Sequence, residues 1–489
     1  MSLDWTTLLC IKRLREIEGG SPSQPTTGDD RSAFDRDYDR AIFSTPVRRL
    51  QDKTQVFPLD PNDAVRTRLT HSMEVSTLAR GLARGAARWM LNEKHLKDAD
   101  QALEFESIAA TCGLIHDLGN PPFGHAGERA ISSWFDKRLK HNKDFFTGLG
   151  DESTELGQQL RNDFLYFEGN AQTLRIVSRL QLLADTHGLN LTVGTLSAAM
   201  KYTAASHELV EKQPHERTKP GYFASENVIV QTVRKHAGTD AMRNPIAYLV
   251  ESCDDMVYAT VDIEDGVKKG IISWSGLKKA LLDAADSDEK AIEAIQVQIA
   301  KTENYINKAR KRPTGKSLDE AHAQYFRTLI IGETKVAVLK AFQHYYSDLM
   351  ERRPIDGGEL IPLSAASALI KACKKVGRTH IYTSEETLRL ETMGRNILHD
   401  LMDIFWEGAS AYPLPTAPEK HEEELKEFRK SPEGKIYRLL SENYRTAFES
   451  AITEKRLPPL YHRFQLVTDY VCGMTDTFAC KLHSQLTHG

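Results

Sequence analysis

The stretch Cys112-Gly113-Leu114-Ile115-His116-Asp117-Leu118-Gly119-Asn120-Pro121-Pro122 decides how this chain reads. Apolar residues lead to a histidine–aspartate pair, and Gly-Asn-Pro-Pro then stops the helix. An imidazole and a carboxylate beside so apolar a run face desolvation. Burying them together is costly unless something neutralises them. A bound divalent cation would do so.

Working outward, two further segments supply matching chemistry. His71 lies in Arg66-Thr67-Arg68-Leu69-Thr70-His71-Ser72-Met73-Glu74, and Asp254 lies in Glu251-Ser252-Cys253-Asp254-Asp255-Met256-Val257-Tyr258. Asp255 competes with Asp254 at this point. Two imidazoles and two carboxylates offer mixed nitrogen and oxygen ligation. That suits Mn, Fe, Ni, Co or Zn, and Mg if water fills the remaining positions.

Helical periodicity dominates the chain. Leu69, Met73, Leu78, Leu82, Ala86 and Met90 recur at three- and four-residue steps, predicting a helix over 68–91. A second helix is expected over 105–118. Asn244-Pro245 reads as an N-cap followed by proline at the first helical position, opening a helix to about 269. Residues 286–312 read as a charged amphipathic surface helix. Residues 380–384 read as a short strand or hairpin arm. Residues 19–30, 137–155 and 413–435 read as polar loops, the last with a short exposed helix. The fold expected is all-α with little or no sheet. No linker divides it, so the expected organisation is an N-terminal segment (1–35), a core (36–275) and a helical C-terminal region packed on that core (276–489).

Composition narrows the class. Of 489 residues, 40% are hydrophobic and 27% charged, which is globular, and the net charge of -4 argues against a basic nucleic-acid coat. The six cysteines show no CxxC spacing and read as free thiols in a reducing compartment. No apolar run reaches the roughly 18 residues of a membrane span. The N-terminus has no signal-peptide pattern, so the cytoplasm is the expected location. Two motif fragments are decoys. Pro313-Thr314-Gly315-Lys316-Ser317 has Arg310 where a phosphate loop needs its first glycine, and His207-Glu208-Leu209-Val210-Glu211 has Glu211 where a zinc protease needs histidine.

The ordered blocks resemble the HD superfamily, and within it the bacterial dGTP triphosphohydrolases. The resemblance runs through Ser44-Thr45-Pro46-Val47-Arg48-Arg49-Leu50-Gln51-Asp52-Lys53-Thr54-Gln55-Val56-Phe57-Pro58, then Arg66 to Val75 and the HDLGNPPFGHAGE run from His116 to Glu128. It continues through Phe167-Glu168-Gly169-Asn170-Ala171-Gln172, Lys201-Tyr202-Thr203, Lys219-Pro220-Gly221-Tyr222, Asp254 to Asp265, and Gly473-Met474-Thr475-Asp476. It implies an HD-domain helical core with a divalent metal, Mg or Mn first, on His71, His116, Asp117 and Asp254. Asp254 is preferred over Asp255 because Tyr258 and Asp262 then follow at the family's sugar-contacting positions. They share one helix face.

The implied reaction splits a dNTP, above all dGTP, into deoxynucleoside and inorganic triphosphate. His125 is the expected acid or water partner, and Glu128 the group that orients it. A histidine titrating near neutrality suits that task. Arg68, Lys201 and Lys219 are expected on the phosphates, with Tyr222 travelling beside Lys219 and Asn170 supporting the phosphate or water network. Gln55 and Val56 are expected near sugar and base, and Tyr258 and Asp262 on the deoxyribose. Glu391 and Arg445 are expected to help read the base. Family behaviour further implies a hexamer or tetramer and a nucleotide or single-stranded DNA effector. Two alternatives remain at this point: an HD enzyme acting on another nucleotide, and a nucleotide- or DNA-binding regulator with a silent site.

Overall fold

A computed structural model describes residues 2–21, 27–57, 59, 65–181, 186–309, 314–415 and 418–487. The phosphate-loop-like decoy and the loop at 19–30 fall partly outside these residues. Among them the fold is all-α, as the sequence predicts, and one pair of short parallel strands, β1 (Ala204–Ala205) and β2 (Pro220–Tyr222), interrupts the helices.

The helices that build the site follow from their caps and faces. Helix α1 spans Arg68–Asn92 and starts at Thr67, whose hydroxyl accepts from the Thr70 amide. Helix α2, Ala99–Ile115, starts at Asp98, which accepts from Gln101 N. The two pack closely because small residues meet. Ser76 Oγ donates to Ala110 O at 2.7 Å, and a Cβ on Gly113 would lie 2.8 Å from Ser76 Cα. Helix α3 is Gly124–His141, α4 is Gly169–Arg179, and α5 is Asn227–Ala237. Helix α6, Pro245–Lys268, opens on Asn244, whose side chain accepts from Ile246 N, as its N-cap reading predicts.

The C-terminal half adds α7 (Lys316–Met350), α8 (Ser367–Val376), α9 (Glu385–Ser410), α10 (Glu442–Glu454), α11 (Pro459–Cys472) and α12 (Asp476–Thr487). Two apolar clusters result. One joins α1, α2, α6, α7 and α8, and includes Trp5 from the N-terminal segment. The other joins α3, α4, α5, α9, α10 and α11 around an aromatic stack of Phe135, Phe146, Phe164 and Phe464. The His116-Asp117 motif sits where the clusters meet. Cys112 belongs to the first and Leu114 and Ile115 to the second.

Two local expectations fail, and the exposed helix expected within 413–435 is present but fills more of that stretch. Residues 380–384 form no strand; Gly377–Ile381 is a π-type helical turn continuing α8. The supposed polar loop at 137–155 is largely helical: α3 runs to His141, and a 3₁₀ segment, Lys143–Leu149, buries Phe146 and Leu149. Residues 413–435 hold the helix Pro418–Lys430 and the start of a second, Pro432–Leu439. The surface helix is shorter than expected, Glu289–Asn307. All six cysteines are free. Among the described residues, no helix is long and apolar enough to cross a membrane.

Candidate active site

Three helix segments bring the predicted ligands together. His71 comes from the first turn of α1, His116 and Asp117 from the end of α2, and Asp254 from the middle of α6. The ligand atoms of His71, His116 and Asp117 lie within 4.8 Å of one another. Asp254 Oδ1 is 3.1 Å from His71 Nε2 and 3.5 Å from His116 Nε2. His116 Nδ1 donates to Gly113 O at 2.8 Å, which fixes the ring and turns Nε2 toward the carboxylates. That Nε2 is buried without a hydrogen-bond partner. A buried polar atom without a partner carries a desolvation cost, and a cation between imidazoles and carboxylates would remove it. The donor set fits a divalent metal by this test. Asp255 points elsewhere, with its Oδ2 2.7 Å from Lys374 Nζ on α8.

A second ring of groups holds the first. Arg68 Nη1 donates to Asp117 Oδ2 at 2.6 Å, and Asn120 Nδ2 donates to Asp117 Oδ1 at 2.6 Å. Burial pushes the Asp117 carboxyl up, but Arg68 and then the two imidazoles outweigh it and hold it down to about 2. Gly119 permits the close approach of α4, since a Cβ there would lie 2.0 Å from Gly169 O. Phe123 and Gly124 both take positive φ, and a Cβ on Gly124 would meet Arg68 Nη2 at 2.4 Å.

Residues without an assigned role in the sequence brace this turn from the far end of the chain. Lys53 Nζ donates to Asn120 O at 2.6 Å and to Cys472 O at 2.8 Å, and burial lowers the ammonium to about 8. Asp476 accepts from Thr54 N and from Phe123 N, both at 3.0 Å.

The expected acid–base pair, His125 and Glu128, stands at the start of α3. His125 Nδ1 donates to Glu128 Oε2 at 2.6 Å, and Glu128 Oε1 accepts from Gly169 N at 2.9 Å. The bond to Glu128 raises the His125 pKa, against the effects of burial, Arg68 and Lys219. Burial opposes ionisation of Glu128, but His125 and Lys219 hold its pKa below the usual value.

A cavity of about 290 Å³ opens over these groups. Gln55, Arg68, His116, Asp117, His125, Asn170, Lys201, Lys219, Asp254 and Tyr258 line it. Asn170 Nδ2 donates to Glu168 Oε1 at 2.7 Å, and Lys219 Nζ pairs with Glu168 Oε2 at 3.0 Å. Burial pulls the Lys201 ammonium down, but Glu251, Asp254 and Asp255 outweigh it and keep it charged. Tyr202, quoted in its block but given no role, lies between the lysines, its ring 5.8 Å from Lys201 Nζ and 5.7 Å from Lys219 Nζ.

The remaining expected contacts lie outside the cavity wall. Tyr222 is buried in β2 against Arg234, and Val56 packs on the first apolar cluster. Asp262 is buried behind Tyr258, where it accepts from the Tyr382 hydroxyl; burial raises its carboxyl to about 8. The Tyr382 ring is 5.8 Å from that of Tyr258, and no sequence motif marks it. Glu391 on α9 meets Arg129 at 3.2 Å on the surface. Arg445 on α10 donates to Leu440 O, so these two and Tyr222 do not reach the cleft in this chain.

Comparisons with known proteins bear on the family of the chain. Residues 68–167 match the HD domain family model. The chain is similar to the deoxyguanosinetriphosphate triphosphohydrolase-like proteins of Listeria innocua serovar 6a and Listeria monocytogenes serovar 1/2a, each 36% identical over 490 residues, covering 99% of both chains. It is also similar to the deoxyguanosinetriphosphate triphosphohydrolase of Salmonella arizonae, 32% identical over 484 residues, covering 93% of both chains.

Proposed function

The chain belongs to the deoxyguanosine triphosphate triphosphohydrolase family of HD-domain proteins, and from that premise we propose that it is a metal-dependent dNTP triphosphohydrolase with dGTP as its preferred substrate. One observation carries the reading. The buried, unpartnered His116 Nε2 faces two carboxylates on the floor of a cleft whose walls present Arg68, Lys201 and Lys219. Three cations exceed what a monophosphate needs and match a triphosphate.

His71, His116, Asp117 and Asp254 would hold the metal, with Mg or Mn preferred. Bound there, it would polarise a phosphoryl oxygen and lower the pKa of a water. The protein's own groups do the rest. Arg68, Lys201 and Lys219 hold the triphosphate against the cleft wall. Water attacks the α-phosphorus, and the bond to the 5′ oxygen breaks. His125 gives its proton to the departing 5′ oxygen. The Glu128 carboxylate, fixed by Gly169 N, holds His125 Nδ1–H and so aims Nε2 at that oxygen. Tyr258 stacks on the sugar, and Asp262, buried behind that ring, anchors Tyr382 beside it.

Product separation tests the reading. Purified protein with Mn or Mg and each dNTP should release deoxynucleoside and inorganic triphosphate, fastest from dGTP. Orthophosphate or pyrophosphate as the released product would sink it. His125→Gln should lower kcat by about 10²- to 10⁴-fold, the usual yield of a positioned acid.

A further inference from the structure

A second cavity, of about 470 Å³, lies between the C-terminal helices α10 and α11 and the ends of α4 and α5. Part of its wall is apolar: Leu156, Leu180, Val228, Ala447, Ala451 and Leu457. Its floor is not. His462 and Gln465, 6% and 4% exposed, line it from α11. His462 Nε2 and Gln465 Oε1 are buried there without hydrogen-bond partners. The Gln465 amide nitrogen donates to Ser225 Oγ, which leaves Oε1 as the atom offered. Burial lowers the His462 pKa to about 4, so the imidazole is neutral. Gln465 acts on the His462 imidazole, but neither His462 Nε2 nor Gln465 Oε1 is in a well-formed hydrogen bond, so both can turn to a partner from the cavity.

The cavity carries one cation available to a ligand. Arg179, at the end of α4, donates to Thr186 O at 3.2 Å and forms no ion pair among the described residues, with Glu226 acting on it only from longer range. The first turn of α5, Asn227 and Val228, shares the wall and adds its positive dipole end. Arg175 is committed to Asp469 and Glu226, and Arg456 to Glu454. The acidic groups Glu226 and Glu454 also line the cavity, so a polyanion would be repelled. One available guanidinium, an apolar wall and a neutral polar floor define the ligand's chemistry.

We propose that this cavity is a second binding site, for a small organic acid: an aromatic or aliphatic body with a single carboxylate or sulfonate. The acid sits between Arg179 and the α5 first turn, its body against Leu180, Val228 and Ala447, and its polar edge on His462 and Gln465. The site connects to the cleft through one rigid element. Helix α4 carries Arg179 at its last residue and Asn170 at its second, about 14 Å apart at 1.5 Å per residue. From the same helix Thr173 Oγ1 accepts from Gly119 N at 2.9 Å, beside the metal motif.

Fluorescence titration of the full chain with anilinonaphthalene sulfonate tests this without any assay of turnover. The expected result is one saturable site per chain. Arg179→Gln and Ala447→Trp should each weaken it by about tenfold or more, or roughly 1.4 kcal/mol, with the melting transition retained. The uncharged congener N-phenyl-1-naphthylamine should bind wild-type protein at least about tenfold more weakly. Non-saturating binding, or equal affinity in both variants, overturns the site. Loss in Ala447→Trp alone, with Arg179→Gln and the congener unchanged, overturns the organic acid. If Ala447→Trp fails to fold, Ser450→Leu on the same wall takes its place, with the same reading.

Discussion

Two buried aspartates of this molecule sit in polar clusters of similar make-up and serve opposite ends. Asp469 on α11 accepts from Arg175 Nε and Nη2 and from Gln172 Nε2, while Arg175 Nη1 reaches Glu226 and Ser225. Every nitrogen of that guanidinium is bonded, and the one buried atom of the cluster without a partner among the described residues is Gln172 Oε1. Asp117 is likewise held, by Arg68 and Asn120, but its neighbours His71 and His116 keep buried nitrogens unpaired. The closed cluster ties α4, α5 and α11 together. The open one spends stability to hold ligand atoms ready. Mutations in the two should therefore fail in different ways.

The sharpest break is at the open cluster. His116→Ala should cut turnover per folded molecule by at least about a thousandfold, near 4 kcal/mol of barrier. It should also weaken Mn binding, read by calorimetry, while the melting midpoint stays within about 4 °C. Unchanged turnover would remove His116 from the site. At the closed cluster the pattern inverts. Arg175→Met strands two buried carboxylates and should cost about 3 kcal/mol of stability in denaturant unfolding. Turnover of the remaining folded protein should stay within about threefold, a change of roughly 0.65 kcal/mol. A large activity loss without destabilisation would erase the distinction.

His462 gives the comparison a pH axis. Its folded pKa, near 4, lies below the ordinary 6.5, so the unfolded chain binds the extra proton between those values. Stability from this group is full above pH 6.5 and is lost as pH falls toward 4. The expected loss is about 2 kcal/mol, somewhat under the full linkage value because a bound water would soften the burial. His462→Gln should flatten the unfolding free energy across that window. An identical slope in the variant would assign the acid sensitivity elsewhere.

Much of this was legible in the sequence because chemistry at fixed spacing survives without coordinates. The His116-Asp117 pair and His71 as candidate ligands, the α6 N-cap and the all-α fold could be read directly, whereas the choice of Asp254 over Asp255 came from the family resemblance. The missed parts share a physical cause. The apolar stripe predicted for α1 included Met73, which is half exposed, whereas Ser72 and Ser76 are buried because α2 packs tightly there through Gly113. Small residues at a close helix contact carry no hydrophobic signal. Phe146 and Leu149 sat in a polar stretch whose few apolar residues fill the second cluster. Lys53 and Asp476 are ordinary surface letters until the fold brings residues hundreds of positions apart against one turn.

Tyr382 belongs to the same group of omissions and gives the smallest predicted effect. It extends from a π-type turn, which periodicity misread, and donates to Asp262 beside Tyr258. Asp262 is buried behind Tyr258, and burial raises its carboxyl to about 8. Its bond from the phenol therefore fixes the Tyr382 ring beside Tyr258. Tyr382→Phe removes that hydrogen bond and keeps the ring. The KM for dGTP should rise about fivefold with kcat nearly unchanged, roughly 1 kcal/mol of ground-state and transition-state binding together. The ring contact does not involve the 3′ hydroxyl, so the KM for the 3′-deoxy analogue of dGTP should rise by the same factor. A rise for dGTP alone would show instead that the change reaches the 3′ hydroxyl.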